Sequence, residues 1–273
     1  MPELPEVETV RAGLEKLLRD RPVIQNVKLM RGDIRFPIPP ELPKRLEGRR
    51  FEAIRRRAKY ILFDTAQGAL LSHLGMTGSW RFVEAGEEDK HDHFYIEFHD
   101  GRRLAFRDPR RFGIIDWVDP GKEREHPRLR SLGVEPLDAS AFNDEFLFQA
   151  SRKRTAPVKT FIMDQRIVVG IGNIYASEAL FRAGVRPSRP AGRLTKAECA
   201  RIVKAAQEVL LEAIAAGGSS IRDYRQADGE EGGFQKRHFV YDRKGLPCRI
   251  CGSSVKSRVI GGRSTYWCST CQS

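Results

Sequence analysis

The sequence predicts an α+β chain of several domains. An antiparallel β-sandwich with a helix at its start comes first, then a helical domain, then a small hairpin that carries cysteines. Three observations predict this. Short runs of alternating apolar and polar residues, separated by Gly, Pro and Asp turns, fill most of the chain up to about Pro120. Beyond Pro120 the apolar period changes from two to the helical value. Two Cys-x2-Cys pairs close the chain. The expected division is residues 1–120 for the β domain, 121–140 for a linker, 141–233 for the helices and 234–273 for the cysteine tail.

The first helix places Val7, Val10, Leu14 and Leu17 on one face. Pro5 lies near its start, and Glu3 and Glu6 lie in its first turn, where carboxylates suit the helix dipole. Strands are expected at Ile24–Leu29, Phe51–Arg56, Tyr60–Asp64, Ala69–His73, Trp80–Val83, His93–His99, Arg103–Arg107 and Gly113–Val118. Helices follow at Phe142–Ala150, Pro157–Asp164, Asn173–Ala183 and about Lys196 to Ala216. In the last of these, Thr195 and Glu198 make a capping box and Gly217-Gly218 supplies the stop. Cys199 falls on its apolar face and reads as core. Asp228 to Gly233 reads as a flexible loop.

Forty-eight Lys and Arg against 36 Asp and Glu give a net charge of +12 and a pI near 9.7, which points to a polyanion partner. From Phe234 to Ser273 eight residues are basic and one is acidic. Nucleic acid explains that clustering better than a membrane surface, since no amphipathic anchor accompanies it. No apolar run approaches the ~20 residues that span a bilayer. MPELPEVETV has neither the basic nor the apolar region of a signal peptide. Cytoplasmic localisation, at the nucleoid when acting, is the expectation.

Cys248-x2-Cys251-x16-Cys268-x2-Cys271 is the strongest local signal. Each pair offers two thiolates to one tetrahedral ion, and four sulfurs leave no open position, so one structural zinc ion is expected. Disulfides are disfavoured in a chain that is not secreted. Gly261-Gly262-Arg263 reads as a hairpin tip between the pairs, equally a phosphate contact or a solvated turn.

The other signal is Met1-Pro2-Glu3. With Met1 removed, Pro2 becomes a secondary amine, and an α-amino group is far less protonated at neutral pH than a lysine. Such an amine can attack a sugar C1′, and Glu3 can shuttle protons beside it. Taken locally, a proline-rich acidic start is better read as the beginning of a helix.

The opening Met-Pro-Glu-Leu-Pro-Glu-Val-Glu-Thr, the segment Gly170-Ile-Gly-Asn-Ile-Tyr175 and the terminal cysteines together resemble the formamidopyrimidine-DNA glycosylase family, from Pro2 to Gln272. Leu4-Pro5-Glu6-Val7-Glu8 favours that branch over the related endonuclease VIII branch. The resemblance implies Pro2 as Schiff-base nucleophile, Glu3 as general acid/base, and Glu6 as support for that site. Lys59 is implied as proton donor and phosphate contact, and Arg263 as phosphate ligand and donor for δ-elimination. It further implies that Met76, Arg110 and Phe112 fill the hole left when a base is extruded. It implies a helix-two-turns-helix unit in which Asn173 and Tyr175 contact phosphate, with Lys159 and His73 in the network. His91 and Lys153 would contact DNA, and the Gln226–Phe234 loop would cover the extruded base.

The expectation is therefore a monomeric bifunctional glycosylase and abasic-site lyase acting on 8-oxoguanine and formamidopyrimidines in damaged double-stranded DNA, with no organic cofactor. Two rivals remain. One is a non-catalytic zinc-dependent DNA-binding protein, which leaves Pro2-Glu3 and Lys59 unexplained. The other is a relative that prefers oxidised pyrimidines.

Overall fold

The computed structural model describes residues 1–84, 86–219 and 232–273. The chain divides into two compact units, Met1–Arg130 with Gly217–Gly232, and Ser131–Ala216 with Gly233–Ser273. This division is coarser than the four expected segments, and hydrogen bonds show what ties the pieces of each unit together. The glycines after the long helix join the first unit because the buried Glu6 carboxylate accepts the Ser219 N–H at 2.8 Å. The cysteine tail joins the helices because the buried Glu178 accepts the N–H groups of Phe239, Val240 and Tyr241 at 2.8–3.0 Å. The expected linker is cut in the middle. Arg128 pairs with Asp116 at 2.7 Å in the first unit, and Gly133 donates to the Gln165 carbonyl at 2.8 Å in the second.

The first unit opens with α1 (Leu4–Leu17) and β1 (Ile24–Leu29). A five-residue helix, α2 (Leu42–Leu46), follows. Next come β2 (Ala53–Arg57), β3 (Tyr60–Thr65), β4 (Gly68–His73), β5 (Ser79–Phe82), β6 (Asp92–Phe98), β7 (Arg103–Arg107) and β8 (Ile114–Val118). They form two antiparallel four-stranded sheets, ordered β1-β6-β7-β5 and β2-β3-β4-β8. All eight expected strands are present. One core joins Val7, Val10 and Leu14 of α1 to both sheets. Trp80 sits inside it, its ring 5.1 Å from those of Phe63 and Phe106, and its indole N–H donates to Ser72 Oγ at 3.0 Å.

Two local expectations shift. Leu17 is 37% exposed and Leu18 takes the buried place, because the helix ends there and the 3.6 spacing no longer holds. The sequence reading omits α2, since five residues are too few for periodicity to register, yet Leu42 and Leu46 are fully buried.

The second unit contains α3 (Asp144–Ser151), α4 (Val158–Ile162), α5 (Asn173–Arg182), α6 (Lys196–Ala215) and the hairpin β9 (Lys256–Ile260)–β10 (Arg263–Trp267). Thr195 and Glu198 form the expected capping box at the start of α6. Cys199 is fully buried, and burial pushes its thiol up to about 11, which suits a core residue. Among the described residues no helix is long and apolar enough to cross a membrane.

Candidate active site and nucleic-acid interface

Pro2 precedes α1 and is buried. Glu3 is the N-cap, and its own N–H donates to Glu6 Oε2 at 2.8 Å. The other Glu6 oxygen accepts from Ser219. Glu6 is thus spent on two backbone donors and fixes the Pro2–Glu3 turn, while the Glu3 side chain is 4% exposed at the same turn. Met1 lines an open cleft of about 590 Å³, together with Asp33, Ile34, Arg35, Gly75, Met76, Arg110, Arg111 and Phe112.

Two loops present the apolar residues of that cleft. Met76 and Phe112 are 37% and 41% exposed, and both line the cleft. Arg110 lies 5.0 Å over the Phe112 ring. The loops are closed together by Asp108, which is fully buried. Its Oδ1 accepts from Thr77 Oγ1 and its Oδ2 from the Gly113 N–H, both at 2.6 Å. Thr77 Oγ1 in turn accepts the Arg110 N–H at 3.2 Å. Gly75, at φ 63°, lies so close that a Cβ there would be 2.4 Å from the Phe112 carbonyl carbon. His91 stands at the foot of the second loop, where its carbonyl accepts the Asp108 N–H at 2.9 Å. Asp108 carries the arrangement but has no role in the sequence reading. An Asp-Pro between a strand and a loop looks like ordinary turn chemistry, and its partner Thr77 is 31 residues away.

Ala58 and Lys59 form the two-residue turn between β2 and β3. Ala58 has φ 54°, a conformation that costs an alanine about 1 kcal/mol or more. Lys59 is 6% exposed. His73 pairs with Tyr60 across β3 and β4, with the rings 4.9 Å apart. The Gly75 N–H donates to His73 Nδ1 at 2.9 Å, so the neutral ring carries its hydrogen on Nε2 and can donate from there. Burial, then the charges of Lys59, Arg35 and Arg128, push the ring down to about 3. His73 is therefore a neutral donor at physiological pH. Its folded value lies below the unfolded one near 6.5, so its contribution to stability is complete above pH 6.5 and is lost as pH falls toward about 3.

In the second unit Lys159 is 1% exposed. Its ammonium donates to Asn173 Oδ1, to the Ser264 carbonyl at 3.0 Å and to Thr265 Oγ1 at 2.8 Å. Asn173 Nδ2 reaches the same Ser264 carbonyl at 3.0 Å. One buried cation thus joins α4, the first turn of α5 and β10. Tyr175 is fully buried with its ring 5.8 Å from Phe234. Lys153 is exposed at φ 60°. Arg263 is exposed directly after the Gly261-Gly262 turn, whose φ values of 57° and 73° suit a tight hairpin. The loop expected to cover an extruded base lies outside the described residues from 226 to 231. Phe234, at its end, is fully buried.

Cys248, Cys251, Cys268 and Cys271 place their four sulfurs within 4.8 Å of one another, with two pairs at 3.4 and 3.9 Å. A tetrahedron with Zn–S bonds of ~2.3 Å has edges of about 3.8 Å. The donor set therefore fits one structural zinc ion, which would tie the base of the hairpin that carries Arg263. Metal analysis should return one zinc per chain. Cys268→Ser should bring that toward zero and lower Tm by several degrees.

Three family models match the chain. The formamidopyrimidine-DNA glycosylase N-terminal domain matches residues 1–115, the H2TH domain of the same enzymes matches residues 132–225, and the zinc finger found in FPG and IleRS matches residues 245–273. The chain is 52% identical to the formamidopyrimidine-DNA glycosylase of Bdellovibrio bacteriovorus and 50% identical to that of Stenotrophomonas maltophilia, each over the full length of both chains. Among solved structures, MutM (FPG) from Thermus thermophilus is 44% identical, with TM-score 0.88 over 99% of this chain and 98% of that one. Lactococcus lactis Fpg, solved in complex with DNA containing an abasic site, is 32% identical, with TM-score 0.90 over 99% of both chains. With all three of its domain models matched in order and half of its residues identical over the full length of these relatives, the chain belongs to the formamidopyrimidine-DNA glycosylase family.

Proposed function

We propose that the chain, once Met1 is removed, excises oxidised purines from duplex DNA and then nicks the strand. The observation that carries this reading is the Pro2–Glu3 turn, held by Glu6 and directly following Met1, which lines a cleft with two exposed apolar side chains and Arg110. Relatives support the substrate class. Solved complexes include Lactococcus lactis Fpg with DNA containing Fapy-dG, and MutM with DNA containing carbocyclic 8-oxo-G.

The chemistry runs through one covalent intermediate. The Pro2 nitrogen lone pair attacks C1′, and the bond from C1′ to the base breaks, the base leaving with the electron pair and a proton. Opening of the sugar ring leaves an iminium ion at C1′, which acidifies the C2′ proton. Loss of that proton expels the 3′-phosphate by β-elimination, and a second elimination expels the 5′-phosphate. Glu3 moves protons at the sugar, Lys59 donates during β-elimination, and Arg263 holds a phosphate and donates during δ-elimination. Met76, Arg110 and Phe112 occupy the space vacated by the base. His73, His91, Lys153 and Asn173 hold the backbone. Lys159 and Tyr175, being buried, act by positioning Asn173 and the first turn of α5.

Release from an 8-oxoguanine duplex should exceed release from a thymine-glycol duplex by at least about tenfold. The reverse order would assign the chain to oxidised pyrimidines.

A further inference from the structure

The loop before α2 lines the same cleft as Met76, Arg110 and Phe112, and the mechanism gives it no task. It is a tight loop. The Ile34 N–H donates to the Phe36 carbonyl at 3.0 Å and the Ile38 N–H to the Gly32 carbonyl at 2.9 Å. Ile34 and Ile38 are anchored at 8% and 2% exposure, which leaves Arg35 and Phe36 at an exposed tip. The one carboxylate of the loop, Asp33, is taken by Arg31 at 2.8 Å. Arg35 has no carboxylate partner among the described residues, and its guanidinium lies 5.6 Å from the Phe36 ring centroid. Arg128, itself held by Asp116 at 2.7 Å, lies 4.1 Å from the centroid of the same ring.

The charge here is uncompensated. Arg35, Arg110 and Arg111 line the cleft with Asp33 as the one acidic residue, and Arg31 already neutralises it. The charge of Arg35 also reaches His73 and Tyr60, as those of Lys59 and Arg128 reach His73. A tight loop that presents into the cleft a guanidinium with no carboxylate partner among the described residues suits a phosphodiester, which takes planar, two-pronged donors well.

We propose that Arg35, steadied by the Phe36 ring and Arg128, binds a DNA backbone phosphate in the cleft. The inference rests on the functional reading above. Arg35 belongs to binding and not to the chemical steps. It adds a backbone contact from the loop before α2 to those of His73 and Lys59.

The test is the salt dependence of binding to a duplex with a reduced, uncleavable abasic site. The wild-type protein, Arg35→Ala and Arg35→Lys are compared, each with its Tm. Losing one phosphate contact lowers the slope of log affinity against log salt by about 0.9. Arg35→Ala should show that fall and about a tenfold weaker affinity at low salt, on damaged and undamaged duplex alike, with Tm unchanged. Arg35→Lys should keep the wild-type slope. An unchanged slope in Arg35→Ala, with wild-type binding and strand nicking intact, overturns the inference and leaves the functional reading standing. A wild-type protein without salt-dependent duplex affinity overturns both.

Discussion

Protein that keeps Met1, or carries a tag ahead of Pro2, should bind duplex DNA and cut none of it. A peptide bond at the Pro2 nitrogen turns a basic secondary amine into an amide, which has no lone pair free for attack at C1′. None of the proposed phosphate contacts depends on that nitrogen. The expected result is a nicking rate lower by roughly 10³-fold or more with duplex affinity within about threefold of the processed protein, measured side by side after mass spectrometry of each N-terminus. Equal nicking by both forms would move the nucleophile elsewhere. Loss of binding together with nicking would mean that the N-terminal turn had been disrupted.

Asp108→Asn should separate excision from strand cleavage. The Asp108 carboxylate accepts from Thr77 and Gly113 at 2.6 Å on two different oxygens. An amide offers one acceptor and brings two donors, so either the buried Gly113 N–H loses its partner or the Thr77 hydroxyl must stop donating and accept from the NH2 group. That costs about 2 kcal/mol, which lowers Tm by several degrees in a unit of this size. The larger effect is on geometry. Met76, Arg110 and Phe112 lose the clamp that sets their two loops together. Release of a base from intact duplex requires those residues to fill the hole and should fall by about 100-fold. Cleavage at a ready-made abasic site in single-stranded DNA needs no hole filled and should fall by no more than about threefold. Equal loss in both assays would mean that Asp108 acts only through stability.

Much of the fold is legible in the sequence because the evidence there is local. Alternation with Asp-Gly and Gly turns marks the strands from β1 to β8, and the Thr195–Glu198 box marks the start of α6. The two Cys-x2-Cys pairs mark the metal site for the same reason, since spacing alone fixes the donors. What escapes is set by partners distant in sequence. The resemblance puts Lys159 in a phosphate-contacting network, and only the fold reveals that its ammonium is spent on Ser264 and Thr265, more than a hundred residues on. Asp108 reads as a turn residue until Thr77 is beside it. The 217–219 segment reads as a helix stop, and the Glu6–Ser219 bond assigns it to the first unit. The strained φ of Ala58 has no signal in its side chain, since an alanine is ordinary in any turn or helix.

In the proposed reaction the Pro2 nitrogen forms the covalent bond to DNA. Borohydride reduces an iminium ion to a stable amine, so it should freeze the complex formed on an 8-oxoguanine or abasic duplex. With processed protein, the trapped species should carry the reduced sugar on the peptide that begins at Pro2. A cross-link mapped to Lys59 or to any other lysine, or the absence of any cross-link from protein shown by mass to lack Met1, would contradict the account.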